Sequence, residues 1–208
     1  MTELSASGLG KRFGRRIVFR GIDLKVEGGN SVAITGHNGS GKSTLVRVLA
    51  GVLRPTKGAV SLSVDGTLIP TELRPFRTGL VAPYLNLYTR FSPAENLRFI
   101  ARARSLPDRE ARIAATLDRV GLSKRAGDLV ATFSSGMIQR VRLAAALIAD
   151  PEVLILDEPT SNLDKAGHEI VRRTIAEARH AGRIVVVATN DAREAAACDI
   201  QCSVIFEG

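Results

Sequence analysis

The 208-residue sequence contains no tryptophan, two tyrosines and seven phenylalanines. It has two cysteines and no uninterrupted apolar run of the length, about 18 residues, that a membrane-spanning helix needs. No spanning segment is therefore expected. Met1–Gly10 lacks the basic-then-apolar pattern of a secretory signal, so a reducing compartment and free thiols are expected for Cys198 and Cys202. Their i, i+4 spacing would suit a metal on a helix, but no histidine lies near them, and buried inert thiols are the favoured reading. No internal repeat, low-complexity tract or coiled coil is present.

What is present is a globular composition, with 45% hydrophobic residues and a net charge of +8. A basic surface attracts anions, nucleic acid among them. Here the basic residues are spread along the chain rather than gathered in a tract, so no nucleic-acid partner is expected.

The most informative stretch is Gly36-His37-Asn38-Gly39-Ser40-Gly41-Lys42-Ser43-Thr44. It has the spacing G-x-x-x-x-G-K-S, lies between a strand expected at Ser31–Thr35 and a helix expected at Ser43–Ala50, and reads as a phosphate-binding loop. Glycines let the backbone approach a phosphate, and N–H groups at a helix start face its oxygens. Lys42 supplies a charge to the β- and γ-phosphates, and Ser43 offers a hydroxyl to Mg²⁺. ATP and Mg²⁺ are the expected ligands.

Around this loop, alternation at Ile22, Leu24 and Val26 and again at Val60, Leu62 and Val64 predicts half-buried strands, the second followed by a hairpin turn at Asp65-Gly66. The basic turn after Leu4–Gly14 carries Phe13, read either as a minor core residue or as a ring stacked on a base. A short strand is expected at Thr78–Ala82. Between Pro83 and Pro93 stand Tyr84, Tyr88 and Phe91, three of the nine aromatics, in a loop that reads equally as a partner surface or as rings folded into the core. Ser92 and Glu95, with Pro93 at the first helical position, predict a capping box. A second helix is expected over Asp108–Val120, closed by Gly121. With no strand signal, this segment reads as a helical lobe inserted in an α/β core.

Ser134-Ser135-Gly136 opens a long helix and offers a second anion-binding helix start. Val153–Leu156 reads as a buried parallel strand. It delivers Asp157 and Glu158 to the sheet edge where ligands bind in open α/β folds. Asp157 is placed to hold Mg²⁺ and Glu158 to orient the water that attacks the γ-phosphate. A helix at Asp164–Ala181, a buried strand at Ile184–Ala188, a short helix at Asp191–Ala197 and a last strand at Val204–Phe206 complete the reading.

In motif order the chain resembles the ATP-binding cassette (ABC) ATPases. The phosphate loop is followed by a helical insertion, the signature Phe133-Ser134-Ser135-Gly136-Met137, the Walker B segment Val153–Glu158 and the D-loop Ser161-Asn162-Leu163-Asp164. The resemblance covers nearly the whole chain. It implies a phosphate-loop NTPase (RecA-like) core with an N-terminal antiparallel β subdomain, in one domain of residues 1–208 with a helical subdomain at about 92–140. It implies two cassettes, here a homodimer, head to tail, with ATP between Lys42 of one and Ser134 of the other. Phe13 then matches the adenine-stacking aromatic, and Asp164 joins the nucleotide-binding set. The helical lobe and the aromatic loop match the surface that receives an integral membrane permease. A cytoplasmic location, peripheral on the inner face of the membrane, follows.

Three motifs depart from the family pattern. Ser135 and Met137 stand in the signature. Pro83 stands where the family glutamine is expected, and Asn190 where the switch histidine is expected. The resemblance implies an ATP-hydrolysing transporter subunit, slow in turnover, with export as the expected direction. Leu87-Tyr88 and Glu95-Asn96-Leu97 are nearest to short exporter subunits of the haem-exporter type. The alternatives are a binding-only regulatory cassette and a soluble ABC ATPase not coupled to transport.

Overall fold

The computed structural model describes residues 1–204. Strands β1 (Thr2–Phe13) and β2 (Arg16–Glu27) form an antiparallel pair, and β1 also pairs with β4 (Lys57–Val64). A hairpin joins β4 to β5 (Thr67–Ile69). Its turn residues Asp65 and Gly66 both have positive φ, 50° and 75°, the backbone that a two-residue turn demands when it must match the strand twist.

The second sheet is wholly parallel. Its order is β6 (Thr78–Val81), β7 (Val153–Asp157), β8 (Ile184–Ala188), β3 (Ser31–Thr35), β9 (Ile200–Ser203). Helix α1 (Lys42–Leu49) follows β3. Every residue of β7 and β8 is buried, as expected for strands covered on both faces. Alternate residues serve different cores. Val153 and Ile155 pack with α1 and the antiparallel sheet, whereas Leu154 and Leu156 pack with the helices on the other side. Those helices are α2 (Pro93–Ala103), α3 (Arg109–Arg119), α4 (Ser135–Leu147) and α5 (Lys165–His180), followed by the short α6 (Ala192–Ala196).

The expected capping box is formed. Ser92 Oγ accepts from the Glu95 amide, and the Glu95 carboxylate accepts from the Ser92 amide. Gly121, at φ 67°, ends the chain segment after α3. The elements fall where the hydrophobic period puts them, except at the C-terminus. There the observed strand is β9, Ile200–Ser203, and the strand expected over Val204–Phe206 lies, beyond Val204, outside the described residues. The cysteines also differ from expectation. Cys198 follows α6 and Cys202 sits on β9, so they do not share a helix, and both are half-buried free thiols rather than fully buried ones. Burial raises the pKa of each, which keeps them protonated.

The aromatic loop between β6 and α2 is held by one buried side chain. Asn96 Oδ1 accepts from the Tyr88 amide at 2.9 Å, and its Nδ2 donates to the carbonyls of Tyr88 at 3.1 Å and Ser92 at 2.9 Å. Asn96→Ala removes all three bonds at once. We expect it to lower stability by about 3 kcal/mol, since each such bond contributes roughly 1 kcal/mol, and to make the 84–91 loop the first site of protease cutting. Urea unfolding and limited proteolysis measure both.

Candidate nucleotide site

The carboxyl ends of the parallel strands carry the site. In register, Leu156 pairs with Val187 and Asp157 with Ala188, while Ile34 pairs with Ala188 from the other side. The chain leaving each strand therefore emerges at one edge: the phosphate loop after β3, Asp157-Glu158 at the end of β7, and Asn190 after β8.

Loop geometry explains the glycines. Gly41 has φ 106°, and a Cβ there would lie 2.6 Å from Val18 Cγ1. Gly36 has φ 148°, and its Cβ would lie 2.5 Å from Ser40 Oγ and 2.6 Å from the Val204 carbonyl oxygen. Neither position admits a side chain without displacing its neighbours. Lys42, the first residue of α1, is 6% exposed, and its Nζ donates to the carbonyls of Gly36 at 2.8 Å and His37 at 3.3 Å.

An open cleft of about 550 Å³ lies over this loop. Phe13, Arg16, Val18, Asn38, Gly39, Gly41, Lys42, Ser43, Thr44 and Glu158 line it. Phe13 is 51% exposed, with Lys11 Nζ 4.9 Å from its ring centroid, so it is a rim residue of the cleft and not part of the core. Glu158 Oε1 stands 4.0 Å from Lys42 Nζ, and the Glu158 backbone has φ 49°, in the left-handed region that an L side chain rarely adopts. Asn190 Nδ2 donates to Asn38 Oδ1 at 3.3 Å, which joins the loop after β8 to the phosphate loop.

Beneath the cleft is the least compensated charge of the site. Asp157 is 1% exposed, and both carboxylate oxygens are buried without a hydrogen-bond partner. Burial pushes its pKa above the ordinary aspartate range, opposed by the Ser43 hydroxyl and by the charges of Lys42 and Arg47. Burial raises Glu158 as well. Lys42 opposes that shift, and Asp157 and Glu194 reinforce it. Among the described residues, no three His, Cys, Asp or Glu side chains gather to hold a metal by themselves. A magnesium ion shared with substrate phosphates needs less, one or two protein oxygens and the phosphates. The orphaned Asp157 oxygens beside Ser43 fit that requirement.

Not every residue singled out in the sequence meets here. Ser134, Ser135, Gly136 and Asp164 do not line the cleft. Ser134 is the exposed N-cap of α4, and its Oγ accepts from the Met137 amide at 3.3 Å. Asp164 caps α5, its Oδ1 accepting from the Gly167 amide at 2.8 Å. These two helix starts are neighbours, since a Cβ on Gly136 would lie 3.2 Å from the Asn162 carbonyl oxygen. They form a second polar patch separate from the cleft. Conversely, Arg16, Val18, Arg47, Tyr84 and Glu194 border the site without having been singled out from sequence for it. Glu194 accepts a hydrogen bond from Thr160 Oγ1, two residues past Glu158.

A parallel sheet with a glycine-rich loop between β3 and α1, and acidic residues closing the neighbouring strand, is the phosphate-loop NTPase fold. Within that class, the ABC transporter family model matches residues 19–161, and the chain belongs to the ABC transporter family as an ATP-binding subunit. It is 38% identical over 196 residues to the lipoprotein-releasing system ATP-binding protein LolD of Nitratidesulfovibrio vulgaris, covering 88% of this chain and 84% of that one. It is 34% identical to the daunorubicin resistance ATP-binding protein DrrA3 of Streptomyces coeruleorubidus, covering 100% of this chain but 66% of that one, just under two thirds of its length. Further relatives are named for import and for export. Among solved structures, a dimeric ATP-binding cassette in a post-hydrolysis state, bound to ADP and Pi, superimposes with a TM-score of 0.85 at 24% identity over 98% of this chain and 94% of that one, a likeness of fold. No helix among the described residues is long and apolar enough to cross a membrane.

The sign of the Asp157 shift gives a test. At pH below the ordinary aspartate value of 3.8, native and unfolded chains both carry the proton and the carboxyl costs nothing. As pH rises, the unfolded chain ionises first, so native stability falls. Asp157→Asn should therefore exceed the parent in stability by ~1–3 kcal/mol at neutral pH in nucleotide-free, metal-free buffer, and the gap should close as pH drops through 3.8. Urea unfolding across pH measures it.

Proposed function

We propose that the cleft binds ATP with Mg²⁺ and hydrolyses it, and that the chain is the ATP-binding subunit of a transporter whose spanning part is a separate chain. The observation that carries this reading is the approach of Glu158 to Lys42 above the unpartnered Asp157 carboxylate, all at one sheet edge. Backbone N–H groups of the loop face the phosphates, Lys42 neutralises their charge, and Phe13 offers its ring to the adenine. Ser43 and Asp157 hold the metal, which supplies charge neutralisation at the phosphates when bound. Glu158 accepts a proton from the attacking water while the water oxygen bonds to the γ-phosphorus and the bond to the β–γ bridging oxygen breaks. A carboxylate whose pKa is raised by burial is a stronger base for that task.

Asn190 carries no charge. At the position we assign to the switch histidine it can donate to a γ-phosphate oxygen but cannot neutralise it. Pro83, assigned to the family glutamine position, offers neither amide nor N–H. Slow turnover follows from both.

The exposed patch at Ser134–Gly136 and Asp164 is read as the half-site offered to a second copy in a head-to-tail homodimer. The whole of 1–208 is read as one cassette, with 92–140 as its helical subdomain. A groove of about 440 Å³ lined by Phe76, Leu85, Leu87, Phe99 and Ile100 is read as the seat of the membrane permease, which puts the subunit on the cytoplasmic face. Phe76 and Phe99 there are 58% and 51% exposed, and Tyr88, stacked with Phe91 and Phe99 at 5.4 Å, is 55% exposed. Export is the direction we assign. The binding-only reading rests on Asn190 and Pro83 together.

Turnover separates these. Glu158→Gln is expected to cut steady-state ATP hydrolysis by about 10²–10³-fold with ATP affinity retained, the usual size of a lost general base. Asn190→His is expected to raise the rate if the missing charge is limiting. A parent protein that hydrolyses no ATP, alone or with its membrane partner, would leave only the binding-only cassette.

A further inference from the structure

Few buried side-chain polar atoms among the described residues lack a hydrogen-bond partner, and most of them surround the phosphate loop. They are Ser40 Oγ, Arg47 Nε, both Asp157 oxygens and the hydroxyl of Tyr84. Tyr84 has no part in the chemistry described so far. Its position is nonetheless tightly fixed. Val81, near the end of β6, pairs with Leu156, so the chain beyond it runs alongside Asp157. The Leu85 amide donates to the Ala82 carbonyl at 3.1 Å and closes a turn with Pro83 and Tyr84 at its centre. Proline at the second position of such a turn pre-sets its backbone. Arg142 Nε then ties the Leu85 carbonyl to α4 at 3.0 Å.

The ring is clamped from the other side. The Arg47 guanidinium carbon lies 3.7 Å from the Tyr84 ring centroid. Arg47 stands one helical turn after Ser43 on α1, so both look out from the same face of that helix. Tyr84, Arg47, Ser43 and Asp157 thus converge from two strands and one helix. Unlike Tyr88 and Phe91, Tyr84 points inward. Burial raises its pKa, with Arg47 opposing the shift and the nearby Asp157 charge reinforcing it, so the hydroxyl stays protonated and remains a donor. A buried hydroxyl with no partner is costly, and phenylalanine would fill the same space without that cost.

We propose that the Tyr84 hydroxyl is a positioning group of the nucleotide site, donating a hydrogen bond to the metal-and-γ-phosphate end of the cleft beside Asp157, with Arg47 holding the ring in place. The proposal rests on the nucleotide reading above. Its acceptor is a water of the Mg²⁺ shell or a γ-phosphate oxygen brought beside Asp157 by the bound metal, so it has that partner only when Mg²⁺ and ATP are both bound.

The absence of tryptophan makes this directly observable. Tyr88→Phe leaves Tyr84 as the sole tyrosine emitter in the full chain. In that background, ATP with Mg²⁺ is expected to change the emission, whereas ATP with a chelator leaves it nearly unaltered. Calorimetric titration of Tyr84→Phe is expected to give about tenfold weaker Mg²⁺-ATP binding, the loss of one hydrogen bond to a charged group, with metal-free ATP binding at parent strength. Thermal unfolding of the nucleotide-free variant should match or exceed the parent. Equal Mg²⁺-ATP affinity in parent and Tyr84→Phe, or an emission blind to Mg²⁺-ATP, overturns the proposal and reduces Tyr84 to a packing partner of Arg47. A parent that binds no ATP with or without Mg²⁺ overturns the nucleotide reading itself, a result distinct from a neutral Tyr84→Phe.

Discussion

A carboxylate taken out of water, its burial only partly offset by Ser43, Lys42 and Arg47, is the constraint around which this molecule is arranged. Asp157 ends a strand whose every residue is buried, and its oxygens have no partner. Its neighbours Lys42, Ser43 and Arg47 all come from α1, which the loop before it presses against the same sheet. Two glycines with positive φ and no room for a Cβ make that close approach possible. The loop, the helix and the strand order are in this sense one arrangement. Moving α1 outward would relax the loop and leave a buried charge with no cation near it, which is among the most expensive states a protein interior can hold.

The same economy explains why the polar features fall into two groups. Helix starts are orphan donors, and each must find an acceptor. At α4 and α5 the donors are partly met by Ser134 and Asp164 within the chain, at an exposed surface. At α1 no capping side chain exists, because the cap position is Gly41. A helix start with no internal acceptor, over a cleft lined by a lysine, has the character of an anion site. One with a serine cap on the surface has the character of a face that meets something else. On the proposed reading that something is the phosphate end of a second copy.

Most of the fold is legible in the residues. Alternation marked β2 and β4, continuous apolar runs marked β7 and β8, and the capping box at Ser92–Glu95 began α2 where the side chains said it would. These succeed because each signal is local and matches the burial of its own element. The site was legible for the same reason at Lys42, Asp157 and Glu158, whose motifs are contiguous. The failures are non-local. The strand expected at Val204–Phe206 lies, beyond Val204, outside the described residues, and the strand not foreseen is Ile200–Ser203, which pairs with β3 and is polar at alternate positions because one face of that edge strand is exposed. The i, i+4 spacing of Cys198 and Cys202 is compatible with one helix, but α6 ends at Ala196 and the chain turns into β9 between them. Arg47 and Tyr84 carry no motif, and they meet only because a helix and a neighbouring strand end converge.

The segment from Ala82 to Phe91 is where the two halves of the chemistry meet. Its aromatic rings pose a choice between core and surface, and the structure divides them. Tyr84 goes in, under Arg47, while Tyr88 and Phe91 stay out, the Tyr88 ring packing against both Phe91 and Phe99. Pro83 limits the backbone at one end and the buried Asn96 side chain fixes it at the other. The six residues from Leu85 to Arg90 differ from a flexible linker because they are tied at Leu85 and Tyr88 to different helices, α4 and α2, and at Thr89 to the Ala131 amide. A short strap held at both ends transmits displacement because it has little slack to absorb it. If the hydroxyl of Tyr84 gains a partner only with Mg²⁺ and ATP bound, the free energy of that bond biases the strap, and the groove beside Leu85 and Leu87 feels it. Coupling of that kind needs differential contact in two states, and Tyr84 is the residue here positioned to supply it.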